Sequence, residues 1–371
     1  MSTVAGVAVV VGASGQDGYI LSERLLAEAW VVHAVVRRPE LMQSLAAPPG
    51  YLHIHKVDLL EPSPLLDLIA RTQPEECYNL AGQSSVTESF ADPWYTWRTN
   101  TEVVVRVIEC LRLHSPHTRF YQASSTDMFG CIPGGTVLHD ETSPLNPESP
   151  YASAKAAAHL LCRSYREAYG LRIACGILSN HESRRRQSQF LSRKVVDHVR
   201  ALRKLPASAL GSFPPLSLGN LKIQRDWGFA PDYVEGMCRI LRQINLRSQC
   251  LGTAPEPDVG INYRDYVLGT GKVHAVWQLV DRAFVLAGFD LDWELNGDDP
   301  RLWRAYFRSA GKVAVVVNPA LLRPTDPLTI MVDASLARRE LAWVPHEGLD
   351  IFLRDMLEND VDPEVKEGSE S

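Results

Sequence analysis

Tyr151 and Lys155, two residues that could carry acid–base chemistry, lie four positions apart just after Ser149-Pro150. A Ser-Pro pair is typical of a helix start, and this spacing places both side chains on one helical face. A phenol has an ordinary pKa of roughly 10. Because a neighbouring ammonium favours the phenolate, the pair predicts a base that accepts the proton of an alcohol near neutral pH.

A second polar group, Ser124-Ser125-Thr126-Asp127, stands at the end of a predicted strand over residues 119–124. Ligands of parallel sheets bind beyond the carboxyl ends of the strands, so these side chains are expected to face a substrate. Ser125 could hydrogen-bond a carbonyl formed by oxidation. Asp127 could remove a proton from the carbon beside that carbonyl. The alternative is a turn or helix-capping cluster.

A glycine-rich loop over residues 12–18, Gly-Ala-Ser-Gly-Gln-Asp-Gly, joins the valine-rich run 7–11 to a helical pattern. Glycines permit a tight turn and close approach to a pyrophosphate, and the following helix N-terminus offers N–H groups to that anion. The loop therefore indicates a dinucleotide whose nicotinamide accepts hydride. A turn with a helix cap is the alternative.

Arg37 and Arg38 follow the second predicted strand, where many dinucleotide sites present a carboxylate to the ribose. Guanidinium groups bind a 2′-phosphate through charge-assisted hydrogen bonds, so these residues predict NADP rather than NAD. Charges on an ordinary surface are the alternative. Asp58-Leu59 follows the third strand, where the carboxylate could accept a hydrogen bond from the adenine amino group.

The elements that must position these residues alternate along the first half of the chain. Apolar runs predict strands over 7–11, 31–36, 52–57, 77–80, 119–124 and 172–177, and helical patterns cover 19–29, 65–72, 97–113 and 151–169. This alternation predicts an α/β fold, a Rossmann-type doubly wound parallel sheet, with a smaller mixed α/β C-terminal substrate domain. The predicted domains are 1–180 for the cofactor, with later segments returning to it, and 181–358 mainly for the substrate. Residues 359–371 are predicted to form a disordered acidic tail.

Composition narrows the class of protein. The 371 residues include 38 Lys plus Arg and 44 Asp plus Glu, a net charge of −6, which argues against a nucleic-acid partner. No apolar run reaches the roughly 18 residues that a membrane span needs, and no basic leader precedes the first strand, so a cytoplasmic protein is expected. Seven cysteines without a Cys-x-x-Cys pair predict reduced thiols and no metal site.

Short blocks of sequence spread over residues 7–356, including the motifs described above, resemble the GDP-mannose 4,6-dehydratase family of the extended short-chain dehydrogenase/reductase superfamily. Asn180-His181-Glu182-Ser183 and the blocks 218–221 and 225–228 are particular to this family. The other matching blocks are 12–18, 36–38, 78–86, 120–124, 149–155, 166–169, 232–235, 270–274 and 322–326.

The resemblance implies an NADP-dependent enzyme that oxidises a hexose at C4, eliminates water across C5 and C6, and returns the hydride to C6. It implies a homodimer or homotetramer, with the catalytic residues Ser125, Asp127, Tyr151 and Lys155. The implied cofactor residues are Gly12, Ser14, Gly15, Gln16, Asp17, Gly18, Arg37, Arg38, Asp58, Leu59, Leu80, Ala81, Gln83, Tyr151, Lys155, His181 and Arg186. The implied substrate residues are Ser84, Ser85, Ser89, Ser125, Asn180, Glu182, Lys194, Leu218, Gly219, Asn220, Arg225, Arg323 and Asp326.

Asp127 stands where the family has Glu, and Arg184 stands where it usually has Pro. The resemblance makes a GDP-sugar 4,6-dehydratase acting on GDP-mannose the main hypothesis, and these two departures leave alternatives open. A dehydratase of a GDP-manno-heptose and a C4 oxidoreductase or epimerase of a related nucleotide sugar stay open as alternatives. A catalytically silent NADP-binding protein is the alternative from another class.

Overall fold

A seven-stranded sheet forms the centre of the protein. The structure, a computed structural model, describes residues 4–131, 138–206, 210, 212–243, 263–323 and 329–359. The strands are β1 (Gly6–Val11), β2 (Trp30–Val36), β3 (Leu52–Lys56), β4 (Glu76–Asn79), β5 (Arg119–Ser125), β6 (Leu138–His139), β7 (Ile173–Leu178), β8 (Asn180–Glu182), β9 (Leu216–Leu218), β10 (Gln224–Phe229), β11 (Tyr266–Leu268), β12 (Val273–Ala275), β13 (Leu291–Glu294), β14 (Arg304–Phe307), β15 (Val313–Val317) and β16 (Met331–Val332). The helices are α1 (Gln16–Ala27), α2 (Ser63–Thr72), α3 (Val86–Ala91), α4 (Pro93–Trp97), α5 (Val103–His114), α6 (Pro150–Tyr169), α7 (Leu191–Arg203), α8 (Ala230–Leu241), α9 (Val276–Leu286), α10 (Ser335–Leu341) and α11 (Asp350–Glu358).

The central sheet has the strand order β11-β7-β5-β4-β1-β2-β3, and every neighbouring pair is parallel. The order reverses between β1 and β4, which opens a crevice at their carboxyl ends, the usual ligand position in such sheets. One face is covered by α1 and α8, and the other by α2, α5 and α6. The predicted doubly wound parallel sheet is confirmed.

The later part of the chain builds a second core and also returns to the first. Apolar residues of α7, α9, α11 and a sheet of order β13-β14-β15-β9 bury one another in that second core. A small mixed sheet of order β12-β10-β8 lies beside them. β11 extends the central sheet and β16 pairs with β6. The domain boundary near residue 180 stays a prediction. Of the predicted acidic tail, residues 360–371 lie outside the described residues.

The helix predicted over 97–113 is interrupted. The chain forms α4, a π-helical turn over Arg98–Glu102, and then α5. On this turn the buried Asn100 side chain accepts a hydrogen bond from Gln83 N and donates one to Gln83 O, both at 2.8 Å. The turn therefore holds the segment that follows β4, and such turns often occur at functional sites.

Three histidines at one edge of the sheet predict a loss of stability in acid. His33 on β2 lies against His53 and His55 on β3, with 2.9 Å between His33 Nδ1 and His55 Nε2. Burial, the two neighbouring imidazoles and Arg71 lower the pKa of His33 to about 4. The unfolded chain binds that proton near pH 6.5. Between these two pH values the unfolded chain binds a proton that the folded protein does not. The free energy of unfolding is therefore expected to be highest above about pH 6.5 and to fall as the pH drops towards about 4.

The check is urea unfolding of the wild type and of His33→Gln at about pH 7 and about pH 5. The variant should lose less unfolding free energy between the two pH values. Exposed His114 offers the control, because His114→Gln should behave as the wild type does. An equal loss in wild type and His33→Gln would contradict the prediction.

Candidate active site

The glycine loop forms a cradle at the carboxyl end of β1. Gly12 has φ +85°, and a Cβ there would lie 2.7 Å from the main-chain nitrogen of Ala81 after β4. A Cβ on Gly18 would lie 2.3 Å from Gly12 O. Gly15 is the N-cap of α1 and supplies no capping side chain, so first-turn N–H groups remain for an anion. The cradle fits the pyrophosphate of a dinucleotide.

Asp17 and His181 join the cradle to β8. His181 Nε2 lies 2.9 Å from Asp17 Oδ2, and His181 Nδ1 lies 2.7 Å from Ser179 O. Both ring nitrogens therefore face acceptors, which favours the doubly protonated ring. Burial opposes this charge but Asp17 outweighs it, so the pKa of His181 is raised. Burial likewise opposes the Asp17 carboxylate, and His181 lowers the pKa of Asp17 overall.

Gln16 strengthens the same junction. Its side-chain nitrogen donates to His181 O at 3.0 Å, and its oxygen accepts from the Ser183 hydroxyl at 3.0 Å. The structure thus brings together Gln16, Asp17 and His181, which were predicted to contact the cofactor. Their partner Ser183 was named only as part of the family block.

Arg37, Arg38 and Asp58 lie at the ends of β2 and β3. Arg37 is exposed and donates to the Tyr95 hydroxyl at 3.1 Å, while Arg38 is partly exposed. Asp58 is exposed, and its Oδ1 accepts from Leu60 N at 2.9 Å within the turn. The two guanidinium groups are therefore accessible to an anionic ligand at this edge.

Tyr151, Ser125 and Asp127 meet at the carboxyl end of β5. Tyr151 lies in the first turn of α6, which the Ser149 hydroxyl caps by accepting from Ala152 N. The Ser125 hydroxyl and the Asp127 carboxylate both lie close enough to the phenol to change its pKa. Ser125 Oγ also accepts from Asp127 N at 3.2 Å, which fixes the turn that carries the carboxylate.

Lys155 contacts the main chain of the strand. Its ammonium donates to Ala123 O at 2.9 Å, and Nζ lies 5.9 Å from the centre of the Tyr151 ring. Burial lowers the pKa of Lys155 to about 8. The lysine therefore anchors α6 to β5 and stays close to the tyrosine.

In the protein by itself, the surroundings of Tyr151 do not lower the pKa of its phenol, so the role of Tyr151 as a base near neutral pH stays a prediction. Burial raises the pKa of Tyr151, and the Asp127 charge raises it further. The neighbouring Ser125 hydroxyl and the Arg186 charge lower the pKa by less. Desolvation of the phenolate dominates because the side chain is only 8% exposed.

The segment after β4 forms one wall of the crevice. Gln83 is buried, and its side-chain nitrogen donates to Ser85 O at 2.6 Å and to Glu88 Oε2 at 3.1 Å. The oxygen of the same amide is buried without a hydrogen-bond partner among the described residues, which suits a site for a ligand group. Leu80 and Ala81 are partly buried beside it, and Ser84 is exposed.

Two serines of this wall have structural contacts. Ser85 Oγ accepts from Glu88 N at 3.2 Å as the N-cap of α3. Ser89 is fully buried, and its hydroxyl donates to Val86 O at 2.7 Å. The roles of both residues towards a substrate stay predictions.

A charged group lies on and after β8. Glu182 is buried, accepts from the Ser192 hydroxyl at 2.6 Å and pairs with Arg186 at 3.0 Å. The Arg186 guanidinium lies 3.7 Å from the centre of the Phe190 ring. Since Arg186 also influences Tyr151 and Asp17 electrostatically, this group faces the catalytic end of the crevice. Asn180 begins the same strand and is partly exposed.

The remaining predicted substrate residues lie around β9 and β10. Lys194 Nζ donates to Ser217 O at 2.7 Å, and Asn220 Oδ1 accepts from Lys222 N at 3.0 Å. A Cβ on Gly219 would lie 2.7 Å from Leu321 O. The Arg225 guanidinium donates to Gln224 O at 2.8 Å.

The last predicted substrate residues are Leu218, Arg323 and Asp326. Leu218 packs in the second core, and its carbonyl accepts from Asn318 N, so its side chain faces the interior. Arg323 is exposed. Asp326 lies outside the described residues.

Sequence reasoning missed Asn100, Glu88 and Phe190 as partners of site residues. Asn100 lies 17 positions from the Gln83 main chain that it holds. Its only signal was a polar residue within the helical pattern predicted over 97–113.

A helix that spans a membrane must be both long and apolar. Within the described part of the chain, no helix is long and apolar enough to cross a membrane.

Comparison with known proteins identifies the family. The family model for GDP-mannose 4,6 dehydratase matches residues 9–356. A GDP-mannose 4,6-dehydratase from Sinorhizobium fredii (strain HH103) is 36% identical over 348 residues, with 91% of each chain covered. The GDP-mannose 4,6-dehydratase of Vibrio cholerae is 34% identical over 374 residues, covering 96% of this chain and 94% of the relative.

Solved structures share the fold at lower identity. A dTDP-glucose 4,6-dehydratase from Streptomyces venezuelae, solved with NAD, has a TM-score of 0.72 at 20% identity, covering 95% of this chain and 96% of that one. A UDP-glucose 4-epimerase from Thermus thermophilus has a TM-score of 0.70 at 21% identity, covering 95% and 98%. The resemblance inferred from the motifs is confirmed, and the chain belongs to the GDP-mannose 4,6-dehydratase family.

Proposed function

We propose that this protein is a GDP-sugar 4,6-dehydratase that converts GDP-mannose to GDP-4-keto-6-deoxymannose with bound NADP. The observation that carries the proposal is the meeting of Tyr151, Ser125 and Asp127 at the carboxyl end of β5 in a chain of this family. A phenol, a hydroxyl and a carboxylate at one point are the groups that alcohol oxidation followed by elimination requires.

In the proposed reaction, Tyr151 accepts the proton of the C4 hydroxyl and Ser125 hydrogen-bonds the resulting carbonyl. The C4 ketone acidifies the C5 proton, which Asp127 removes. The C6 hydroxyl then leaves with a proton as water, and a proton returns to C5. A bound nicotinamide would supply the hydride chemistry between C4 and C6 with no net redox change, and its positive ring would favour the phenolate of Tyr151.

The cradle of Gly12, Gly15 and Gly18 would hold the pyrophosphate of this cofactor. Gln83 and His181 would lie around its nicotinamide half. Asp58, Leu59, Leu80, Ala81 and Ser14 would line the remaining cofactor surface. Arg186 and Arg225 supply positive charge for the diphosphate of the sugar nucleotide, since guanidinium groups match phosphate oxygens. Asp326 would accept from guanine.

The direct test is incubation of the purified protein with GDP-mannose, followed by mass spectrometry of the nucleotide sugar. Loss of one water supports dehydration. An unchanged mass with altered configuration at C4 or C5 would instead support the oxidoreductase or epimerase, which the shorter Asp127 side chain favours. Release of bound nucleotides from the purified protein identifies the base and the cofactor, and a GDP-manno-heptose substrate is tested in the same assay.

Arg37 and Arg38 are expected to select NADP. Arg37→Ala and Arg38→Ala should each weaken NADP binding by roughly 10- to 100-fold, because a hydrogen bond to a charged group contributes about 1.5–3 kcal/mol. NAD binding should change little, since NAD lacks the 2′-phosphate. Calorimetric titration with both dinucleotides measures this difference.

The exposed Arg71 on α2 provides a matched control. Arg71→Ala should leave both affinities unchanged. Equal weakening of NADP and NAD by the Arg37 and Arg38 substitutions would contradict the assignment. The expected homodimer or homotetramer stays a prediction.

A further inference from the structure

A polar cluster lies buried behind β5, apart from the residues assigned above. It consists of His159 on α6, Cys175 on β7 and Asp265 just before β11, whose potential ligand atoms lie within 4.8 Å of one another. Such a group could hold a metal ion. However, the Asp265 carboxylate already accepts from Arg166 at 2.6 and 2.9 Å and from Cys175 N at 2.8 Å. A guanidinium this close opposes a divalent cation, so the cluster calls for another explanation.

His159 connects this cluster to the catalytic strand. Its Nδ1 shares a hydrogen bond of 3.0 Å with Ser124 Oγ, and its Nε2 lies 3.7 Å from Asp265 Oδ2. Both His159 and Ser124 are buried, at 5% and 4% exposure. Because Arg166 and Cys175 N hold the Asp265 carboxylate, the carboxylate provides a fixed support for one side of the imidazole ring.

The same face of α6 contacts three consecutive residues of β5. Tyr151 lies beside Ser125, Lys155 donates to Ala123 O, and His159 contacts Ser124. The three helix residues follow one another at intervals of four, which aligns them along one face.

We propose that His159 is a positioning residue that fixes the carboxyl end of β5 through Ser124, so that Ser125 keeps its place beside Tyr151. The inference rests on the proposed function. A displacement of about 1 Å at a reacting centre can cost on the order of 100-fold in rate, so one hydrogen bond behind the strand can control kcat. The imidazole suits this role because Nδ1 contacts Ser124 on one side of the ring and Nε2 faces Asp265 on the other.

Two conservative variants separate the contacts of His159. In His159→Asn the amide takes the place of Nδ1 and can still reach Ser124. In His159→Gln the amide takes the place of Nε2 and reaches only the Asp265 side. We expect His159→Gln to lower kcat roughly 10-fold or more with unchanged KM, and His159→Asn to stay near the wild type. Ser124→Ala should match His159→Gln.

The double variant Ser124→Ala/His159→Gln should be no slower than either single variant, because both remove one contact. Hydrogen exchange of the peptide 119–129 gives a second readout that needs no substrate. Exchange should rise in His159→Gln and Ser124→Ala but not in His159→Asn.

A wild type that leaves GDP-mannose unchanged would count against the proposed function, while the exchange pattern would still decide the role of His159. Wild-type kcat and exchange in His159→Gln would overturn the inference. Equal loss of kcat in the Asn and Gln variants, together with equal loss of thermal stability, would also overturn it in favour of a purely structural role.

Discussion

Tyr151→Phe should abolish turnover of GDP-mannose while cofactor binding stays intact. The substitution removes the hydroxyl that meets Ser125 and leaves the buried ring in place. Without that oxygen no protein group at this position accepts the C4 proton, so kcat should fall roughly 100- to 10,000-fold. Steady-state kinetics and titration with NADP measure the two quantities separately.

Tyr169 at the end of the same helix gives the control. It is 55% exposed, so Tyr169→Phe should keep wild-type kcat. Full activity in Tyr151→Phe would refute the role of the phenol. A lost affinity for NADP would show instead that the phenol is needed to bind the cofactor.

Asp127→Asn should stop the reaction after C4 oxidation. The amide keeps the size of the side chain but cannot take the C5 proton, so water loss should fall roughly 100-fold or more. The absorbance of reduced nicotinamide should then persist after mixing with substrate, since hydride has left C4 and has no carbon to return to except C4. Stopped-flow absorbance and product mass follow the two steps.

Asp127→Glu tests the length of the carboxylate. We expect it to preserve or raise the rate of dehydration, because the longer side chain restores the reach typical of the family. The exposed Asp290 in the second core region provides the control, and Asp290→Asn should be inert. Complete loss of activity in Asp127→Glu would show that the site is built around the shorter acid. Unimpaired water loss in Asp127→Asn would exclude Asp127 as the base.

The raised pKa of Tyr151 shows why the site could be named from the sequence but not fully described. The spacing of Tyr151 and Lys155 correctly predicts one helical face, because that depends only on helix geometry. The pKa of the phenol depends on burial and on Asp127, which α6 meets only after packing on β5. Lys155 could not be assigned to Ala123 O in advance, since a pattern contains no information on which carbonyl a lysine reaches.

The amino-acid pattern alone determined the fold class, the glycine cradle, the succession of the main strands along the chain and the family, because periodicity, turn residues and motif spacing are local properties of a chain. Only the tertiary structure decided that His181 faces Asp17, that Asn100 holds Gln83 and that His159 supports Ser124. These partners lie 164, 17 and 35 positions apart. Contacts over such separations are made when helices dock on the sheet, and the docking depends on the whole core rather than on any one segment.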